Sequence, residues 1–287
     1  MTKNTNDNIQ NFDQTRKGKM AASKKLDEQL KQNMSKIKHK ILVLSNKGGV
    51  GKSSVTINLA CSLSEKGFKV GILDADLHGP SVAKMLGFEG KKLQGSPKGI
   101  IPMSVSPNLV AVSMASLIET SDVSLIWRGP LKMGAIRQFL GEVFWGKLDC
   151  LLVDLPPGTG DEALSILQLL PEMDGVIIVT IPSEVSQAVV KKAVSFARQL
   201  NVPILGIVEN MSSLVCPHCG ELIEVFSKGG GAKVSEEMDV ELLGSIPLDP
   251  QVSADSDDGI PFIVKHPNSP ASKVFTQIIK KIEKKVE

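Results

Sequence analysis

The sequence predicts an α/β fold, a mostly parallel twisted sheet with helices on both faces. Three observations carry that expectation. Short apolar runs recur from Lys40 onward and read as continuous rather than alternating, as strands buried on both faces do. Helix-spaced apolar residues fall between the runs, and such βαβ repetition builds a parallel sheet through right-handed crossovers. The first run also opens onto a glycine-rich turn with a helix behind it.

In chain order the strands are expected at Ile41 to Leu44, Val70 to Leu73, Leu109 to Val112, Cys150 to Val153, Val176 to Ile181, Ile204 to Val208 and Leu242 to Ile246. The intervening helices are marked by Val55, Leu59, Leu63; by Ile136, Leu140, Val143; by Leu164, Leu167, Leu170; and by Val189, Val194, Ala197. Together they predict one domain over residues 40–287, ending in a basic amphipathic helix that carries Val274, Phe275, Ile278, Ile279 and Ile282. Residues 1–39 form a polar, basic arm. Its first 22 or so residues hold too little apolar surface to offset their ordering entropy, and disorder is expected there. A short amphipathic segment then follows, with the helical spacing Leu26, Leu30, Met34, Ile37, and packing against the domain is its favoured use.

Composition narrows the function. The 287 residues are 42% hydrophobic and 22% charged, ordinary globular values that exclude wholesale disorder. No apolar run is long enough to span a membrane, and no secretory signal opens the chain, so the expected location is cytoplasmic. The net charge of +2 conceals a basic arm, because residues 1–40 carry 10 Lys and Arg against 4 Asp and Glu. With no Tyr and 4% aromatics the chain lacks the stacking residues of single-strand binders, and sequence-specific nucleic-acid recognition is not expected.

The strongest motif runs from Ser45 to Ser54, Ser-Asn-Lys-Gly-Gly-Val-Gly-Lys-Ser-Ser, after the first strand. Small residues let backbone N–H groups approach phosphates, and the helix N-terminus adds positive potential. Gly48, Gly49, Val50, Gly51, Lys52, Ser53 and Ser54 are therefore the expected nucleotide contacts of a P-loop NTPase, with Lys52 on the β and γ oxygens and Ser53 on Mg²⁺. Asn46 replaces the first glycine of the general pattern, a mild departure because Asn tolerates a left-handed backbone. Val70 to Leu73 delivers Asp74 and Asp76 to the C-terminal end of a parallel strand, the edge that faces ligand in such sheets; a pair of turn-forming aspartates is the alternative. Cys150 to Val153 delivers Asp154 in a Walker B arrangement, a carboxylate that holds Mg²⁺ through water. Gly158 can offer its N–H to the γ-phosphate, making 154–161 a sensing loop, whereas Asp161 competes with a Thr159/Glu162 capping box.

The extra lysine in Lys47-Gly-Gly-Val-Gly-Lys-Ser53 resembles the deviant Walker A loop of MinD, ParA and the nitrogenase iron protein. The resemblance implies an ATP-bound homodimer in which Lys47 reaches the partner's nucleotide; from loop chemistry alone Lys47 reads as a solvated charge. It further implies that Asp76 positions or activates the attacking water, that Asp74 supports Mg²⁺ and its waters, and that Asn210 meets the adenine edge. Without it, Asn210 is a turn residue after Ile204 to Val208. Gly244 to Asp249 is a weaker candidate for the other wall of the base pocket.

Cys216-Pro-His-Cys219 sets the chain apart from the partitioning and division ATPases. Two thiolates at this spacing grip one soft metal or one edge of a cluster, yet supply two of the four ligands such centres take. A symmetric dimer supplies the rest. With this motif added, the chain resembles the Mrp/ApbC family of iron-sulfur cluster carriers over residues 36–265. That resemblance implies a bridging [4Fe-4S] cluster on Cys216 and Cys219, passed from scaffold proteins to apo iron-sulfur proteins under control of ATP.

Alternatives stay open for the pair: a zinc knuckle with His218 as a ligand, or a thioredoxin-type redox couple. Cys61 and Cys150 read as core. A rival function is a MinD- or ParA-like positioning ATPase that binds membrane or DNA through the arm and the C-terminal lysines 280, 281, 284 and 285, with zinc at the cysteines. A docked helix with solvated lysines is the expected reading, with no stable membrane association. His78 and His266 are assigned no catalysis, and Trp127 with Arg128 lines either the crevice or a dimer face.

Overall fold

A computed structural model describes residues 20–76, 79–97, 99–117, 129–216, 218–226 and 229–286. The expected disorder before residue 20, and the readings of His78, Trp127 and Arg128, lie outside the described residues. In chain order the elements are α1 (20–34), β1 (Ile37–Leu44), α2 (Lys52–Glu65), β2 (Val70–Asp74), α3 (Val82–Met85), β3 (Gln94–Ser96), β4 (Gly99–Ile101), β5 (Met103–Ser106), β6 (Leu109–Ser113) and α4 (Gly129–Glu142). They continue with β7 (Leu148–Asp154), α5 (Asp161–Leu169), β8 (Gly175–Thr180), α6 (Glu184–Gln199), β9 (Ile204–Glu209), β10 (Leu214–Val215), β11 (Leu222–Ile223), α7 (Gly230–Met238), β12 (Leu242–Ser245), α8 (Pro250–Asp257), α9 (Phe262–Lys265) and α10 (Pro270–Val286).

The seven strands expected from the apolar runs form the parallel part of one eight-stranded sheet, in the order β12-β9-β8-β1-β7-β2-β6-β5. Their continuous hydrophobicity has the expected cause, since both faces are covered. Along β1, Leu42 and Leu44 enter the core layer shared with α1, α4, α5 and α6, whereas Ile41 and Val43 enter the layer shared with α2, α9 and α10. Strand β5 pairs antiparallel at the edge, and β3-β4 and β10-β11 are separate hairpins. These short strands, two to four residues each and interrupted by Gly and Ser, carry too few apolar positions to be read from sequence.

Two boundaries differ from expectation. β1 begins at Ile37, paired with Leu148, where the sequence pattern placed the arm as far as residue 39. Its first half is polar because Asp174 accepts the Lys40 N–H at 2.7 Å and contacts His39 Nδ1 at 2.9 Å, so alternation there answers to a carboxylate rather than to the core. Ile37 thus belongs to the strand and not to the helix its spacing suggested. Helix α1 is built into the domain: Leu30 and Met34 are buried, and Asn33 Nδ2 donates to Gly141 O at 2.6 Å. A Cβ on Gly141 would come within 2.7 Å of Leu26 Cδ1 and 3.3 Å of Leu26 O, so the glycine lets α1 and α4 cross closely.

The C-terminal helix is docked. Phe275, Ile278, Ile279 and Ile282 are buried in the core, while Lys281 and Lys285 reach Glu241 at 3.3 and 3.0 Å. Among the described residues no helix is long and apolar enough to cross a membrane.

Candidate functional site

The parallel strands bring their C-terminal ends to one edge of the sheet, where the topology places ligands. β1 leads into the glycine loop, β2 into Asp74 and Asp76, β7 into Asp154, and β9 into Glu209 and Asn210. The loop turns through left-handed Gly49 and Gly51 before α2 begins at Lys52. Gly51 has a second reason to be glycine: a Cβ there would lie 2.2 Å from Asn210 Nδ2. Asn46 is not left-handed. Its role is instead a side-chain tie, Nδ2 donating to Val189 O at 3.0 Å and so fastening the loop to α6. Gly48 and Lys47 are exposed, and Val50 is buried beneath the loop.

Asp154 is wholly buried and draws three α2 side chains to it. Ser53 Oγ donates to Oδ2 at 2.5 Å, Thr56 Oγ1 donates to Oδ1 at 2.9 Å, and Lys52 Nζ lies 2.7 Å from Oδ1. Thr56 was not singled out from sequence, although its position four residues after Lys52 puts it on the same helical face. Ser54 lies beside them at the helix start, where its carbonyl accepts from Asn58 Nδ2 at 2.8 Å.

Asp74 sits opposite Asp154 in the β2-β7 register. Ser113 Oγ and the N–H groups of Asp76 and Val82 donate to it at 2.8, 3.1 and 3.4 Å. Burial, reinforced by the charge of Asp154, pushes the Asp74 carboxyl up to about 7. Asp76, nearly buried, accepts the Gly79 N–H at 3.2 Å, so it both closes a turn and faces the same edge.

This arrangement suits a magnesium nucleotide. Buried Lys52 Nζ is ion-paired with Asp154 but makes no hydrogen bond of good geometry, so phosphate oxygens can take its N–H donors. One hydroxyl and two clustered carboxylates are the hard oxygen donors that Mg²⁺ takes, and a cation offsets both the burial and the Asp154 charge that raise the Asp74 carboxyl.

The Gly158 N–H, expected as a donor to phosphate, donates in this structure to Ser45 O at 2.7 Å, with Gly158 left-handed at φ 101°. One expectation needs correction. The Thr159/Glu162 capping box does not form, because Glu162 reaches Lys132 Nζ at 2.6 Å and α5 opens at Asp161 behind an uncapped Gly160. Asn210 is held at both ends: its N–H donates to Thr180 O at 2.7 Å and its Nδ2 to Val50 O at 3.0 Å. The 244–249 segment runs alongside, with Ser212 N–H donating to Ile246 O and Leu248 N–H to Ser213 O.

The cysteine pair lies on the β10-β11 hairpin, closed by Cys216 N–H to Glu221 O and Gly220 N–H to Cys216 O. Cys216 is half-buried and Cys219 exposed. Backbone N–H groups of Cys219 and then His218 point at Cys216 and hold its thiol below the ordinary range, favouring the thiolate that soft metals bind. Among the described residues no third His, Cys, Asp or Glu joins the pair in a group able to hold a metal. Val215, Leu222, Ile223 and Val225 are exposed around the pair. Cys61 and Cys150 are core residues as expected, and burial pushes their thiols up to about 12.

A parallel sheet with a glycine loop between β1 and α2, a lysine and serine at the helix start, and a buried strand-end aspartate bonded to that serine define a P-loop NTPase. A family model described as ParA, the NUBPL iron-transfer P-loop NTPase, matches residues 36–283, and the chain belongs to that family. It is 51% identical over 261 residues to an iron-sulfur cluster carrier protein of Methanocaldococcus jannaschii, covering 91% of this chain and 89% of the relative. Among solved structures it resembles a nucleotide-binding protein from Archaeoglobus fulgidus in complex with ADP, with TM-score 0.72, 41% identity, and 81% and 91% of the two chains covered. The septum site-determining protein MinD of Pyrococcus horikoshii, complexed with Mg-ADP, shares the fold at TM-score 0.63 and 23% identity over 86% of this chain and 96% of its own.

Proposed function

We propose that the protein is an ATP-hydrolysing iron-sulfur cluster carrier that works as a homodimer in the cytoplasm. The observation that carries this reading is a thiol pair, one half-buried and one exposed, on a hairpin that leaves the sheet a few residues after Asn210, the side chain bonded to the phosphate loop. Family membership and the carrier named above support it. Two thiols per chain leave a four-ligand centre half complete, and a two-fold axis supplies the other two from a second copy. Free thiols at the surface hairpin also fit a reducing compartment.

In this reading Lys52 and the loop amides from Gly48 to Ser54 hold the phosphates, and Asn210 meets the base. Ser53 and Asp154 hold Mg²⁺, with Asp74 behind them; the ion would neutralise phosphate charge. Asp76 orients the attacking water. Lys47, exposed at the loop's tip, extends to the partner's nucleotide. For Gly158, taking the γ-phosphate means releasing Ser45 O, which gives the 154–161 loop two alternative partners for one N–H. The cargo is a [4Fe-4S] cluster on Cys216 and Cys219, received from a scaffold protein and delivered to apo-proteins.

The test is transfer. Protein reconstituted with iron and sulfide should restore the cluster of an apo acceptor at a rate that changes with ATP, and the Cys216→Ser, Cys219→Ser variant should restore none. Equal acceptor activation by the variant would overturn the proposal.

A further inference from the structure

β9 ends in two adjacent residues whose side chains go to different places. Asn210 donates to Val50 O in the phosphate loop at 3.0 Å. Glu209, 4% exposed, turns to the other side, where its Oε2 accepts the N–H of Gly231 at 2.5 Å. Gly231 lies in the first turn of α7, where unpaired amide donors and the helix dipole favour an anion. The seat is tight. A Cβ on Gly231 would stand 2.8 Å from Glu209 Oε2, and one on Gly230 would stand 3.3 Å from Pro182 Cα, so the Gly229-Gly230-Gly231 run lets the helix start press onto the sheet edge.

The segment between these two anchors, residues 211–230, carries Cys216 and Cys219. Its near end is joined through peptide bonds to the residue that touches the phosphate loop. Its far end is joined, through Gly231 and Glu209, to that residue's immediate neighbour. Among the described residues no Lys or Arg forms an ion pair with Glu209. A carboxylate buried at desolvation cost, with a helix N-terminus as its partner, is an expensive way to fasten a loop unless the fastening serves the site.

We propose that Glu209 is a positioning residue that couples the two sites, clamping the cysteine segment to the β9 terminus so that nucleotide at the phosphate loop alters the setting of Cys216 and Cys219. The proposal rests on the reading that nucleotide and thiols serve one process, and it names the joint through which they communicate. A displacement of Asn210 by nucleotide moves both anchors together when Glu209 holds α7. Val234 and the Lys191–Glu237 ion pair still seat α7 when the carboxylate is gone, but the far anchor loses its direct tie to the residue beside Asn210, and the thiols lose that part of the constraint.

Alkylation of the full-length, metal-free protein by iodoacetamide tests this, with rates at Cys216 and Cys219 followed by peptide mass spectrometry with and without Mg-ADP or Mg-ATP. Cys61 and Cys150 are buried and serve as internal reporters of unfolding. In the wild type, nucleotide should change the rate by about fivefold or more, the lower range of ordinary allosteric coupling. Glu209→Ala should bring that ratio toward one while nucleotide affinity is unchanged, and Glu209→Gln, whose amide oxygen still accepts from Gly231, should keep more of it. Gly231→Ala should reduce the ratio with the carboxylate still present, which covers the case of a poorly folding Glu209→Ala. A wild-type ratio in Glu209→Ala, or no nucleotide effect in the wild type, would overturn the coupling. Iron content after reconstitution reports on the cargo separately, so a protein that takes no iron yet responds to nucleotide through Glu209 would overturn the carrier reading and leave the joint standing.

Discussion

The phosphate-loop edge and the cysteine hairpin are joined at the end of β9, where Asn210 precedes Cys216 by a few residues, but they are built on opposite physical terms. At the first, buried groups bind one another: Asp154 is wholly enclosed and takes contacts from Lys52, Ser53 and Thr56, and Asp74 takes three more. At the second, two strands of two residues each carry a half-buried and an exposed thiol among exposed Val215, Leu222 and Ile223. Even the titrating groups move oppositely, burial raising Asp74 and N–H donors lowering Cys216. Rigid pre-organisation suits a site that must recognise phosphate geometry, and exposure suits one that must hand something over.

The largest expected effect separates the two regions cleanly. Cys216→Ser, Cys219→Ser should abolish cluster binding while leaving the melting temperature and ATP binding unchanged, since neither thiol is in the core. Loss of fold in that variant would break the comparison. Lys52→Ala should reduce ATP hydrolysis by about a hundredfold or more, as removal of a charge-stabilising donor does, while cluster assembly in vitro continues. Normal hydrolysis would remove Lys52 from the nucleotide chemistry.

Thr56→Val should destabilise the protein by about 1–3 kcal/mol, the cost of leaving a buried carboxylate short of a donor, measurable by denaturant titration. A smaller effect concerns pH. Because the folded Asp74 carboxyl titrates near 7, above its unfolded value, the native metal-free protein binds the extra proton between the two. Its contribution to stability is therefore greatest at the acidic end and falls as pH rises toward about 7. Melting in Ser113→Ala, which removes a donor that lowers this carboxyl, should extend that fall to higher pH; a pH-independent difference between the two proteins would contradict the assignment.

The same contrast explains what the sequence made legible. Seven parallel strands were readable because each is apolar on both faces, and the strand-end carboxylates were readable because β2 and β7 deliver them after uninterrupted apolar runs. The polar half of β1 was not, because a tertiary partner, Asp174, satisfies it. Thr56 escaped notice because a threonine on a helix has many uses and only Asp154 overhead gives it this one. Gly158 and Asn46 were recognised as loop residues, yet their partners, Ser45 O and Val189 O, come from chain segments that no local pattern specifies. Glu209 was passed over for its neighbour Asn210, although a Gly-Gly-Gly run at 229–231 hinted that some backbone must approach closely there.

Hairpin thiols that hold an iron-sulfur cluster between two copies of the chain must show it in their metal content. Iron, acid-labile sulfide and zinc should be counted per dimer in protein purified without oxygen, beside the Cys216→Ser, Cys219→Ser variant. The account predicts about four irons and four sulfides per dimer, absent from the variant, as one bridging cluster requires. Zinc at about one per dimer without sulfide, unchanged by attempted reconstitution, would contradict it and make the pair a structural staple.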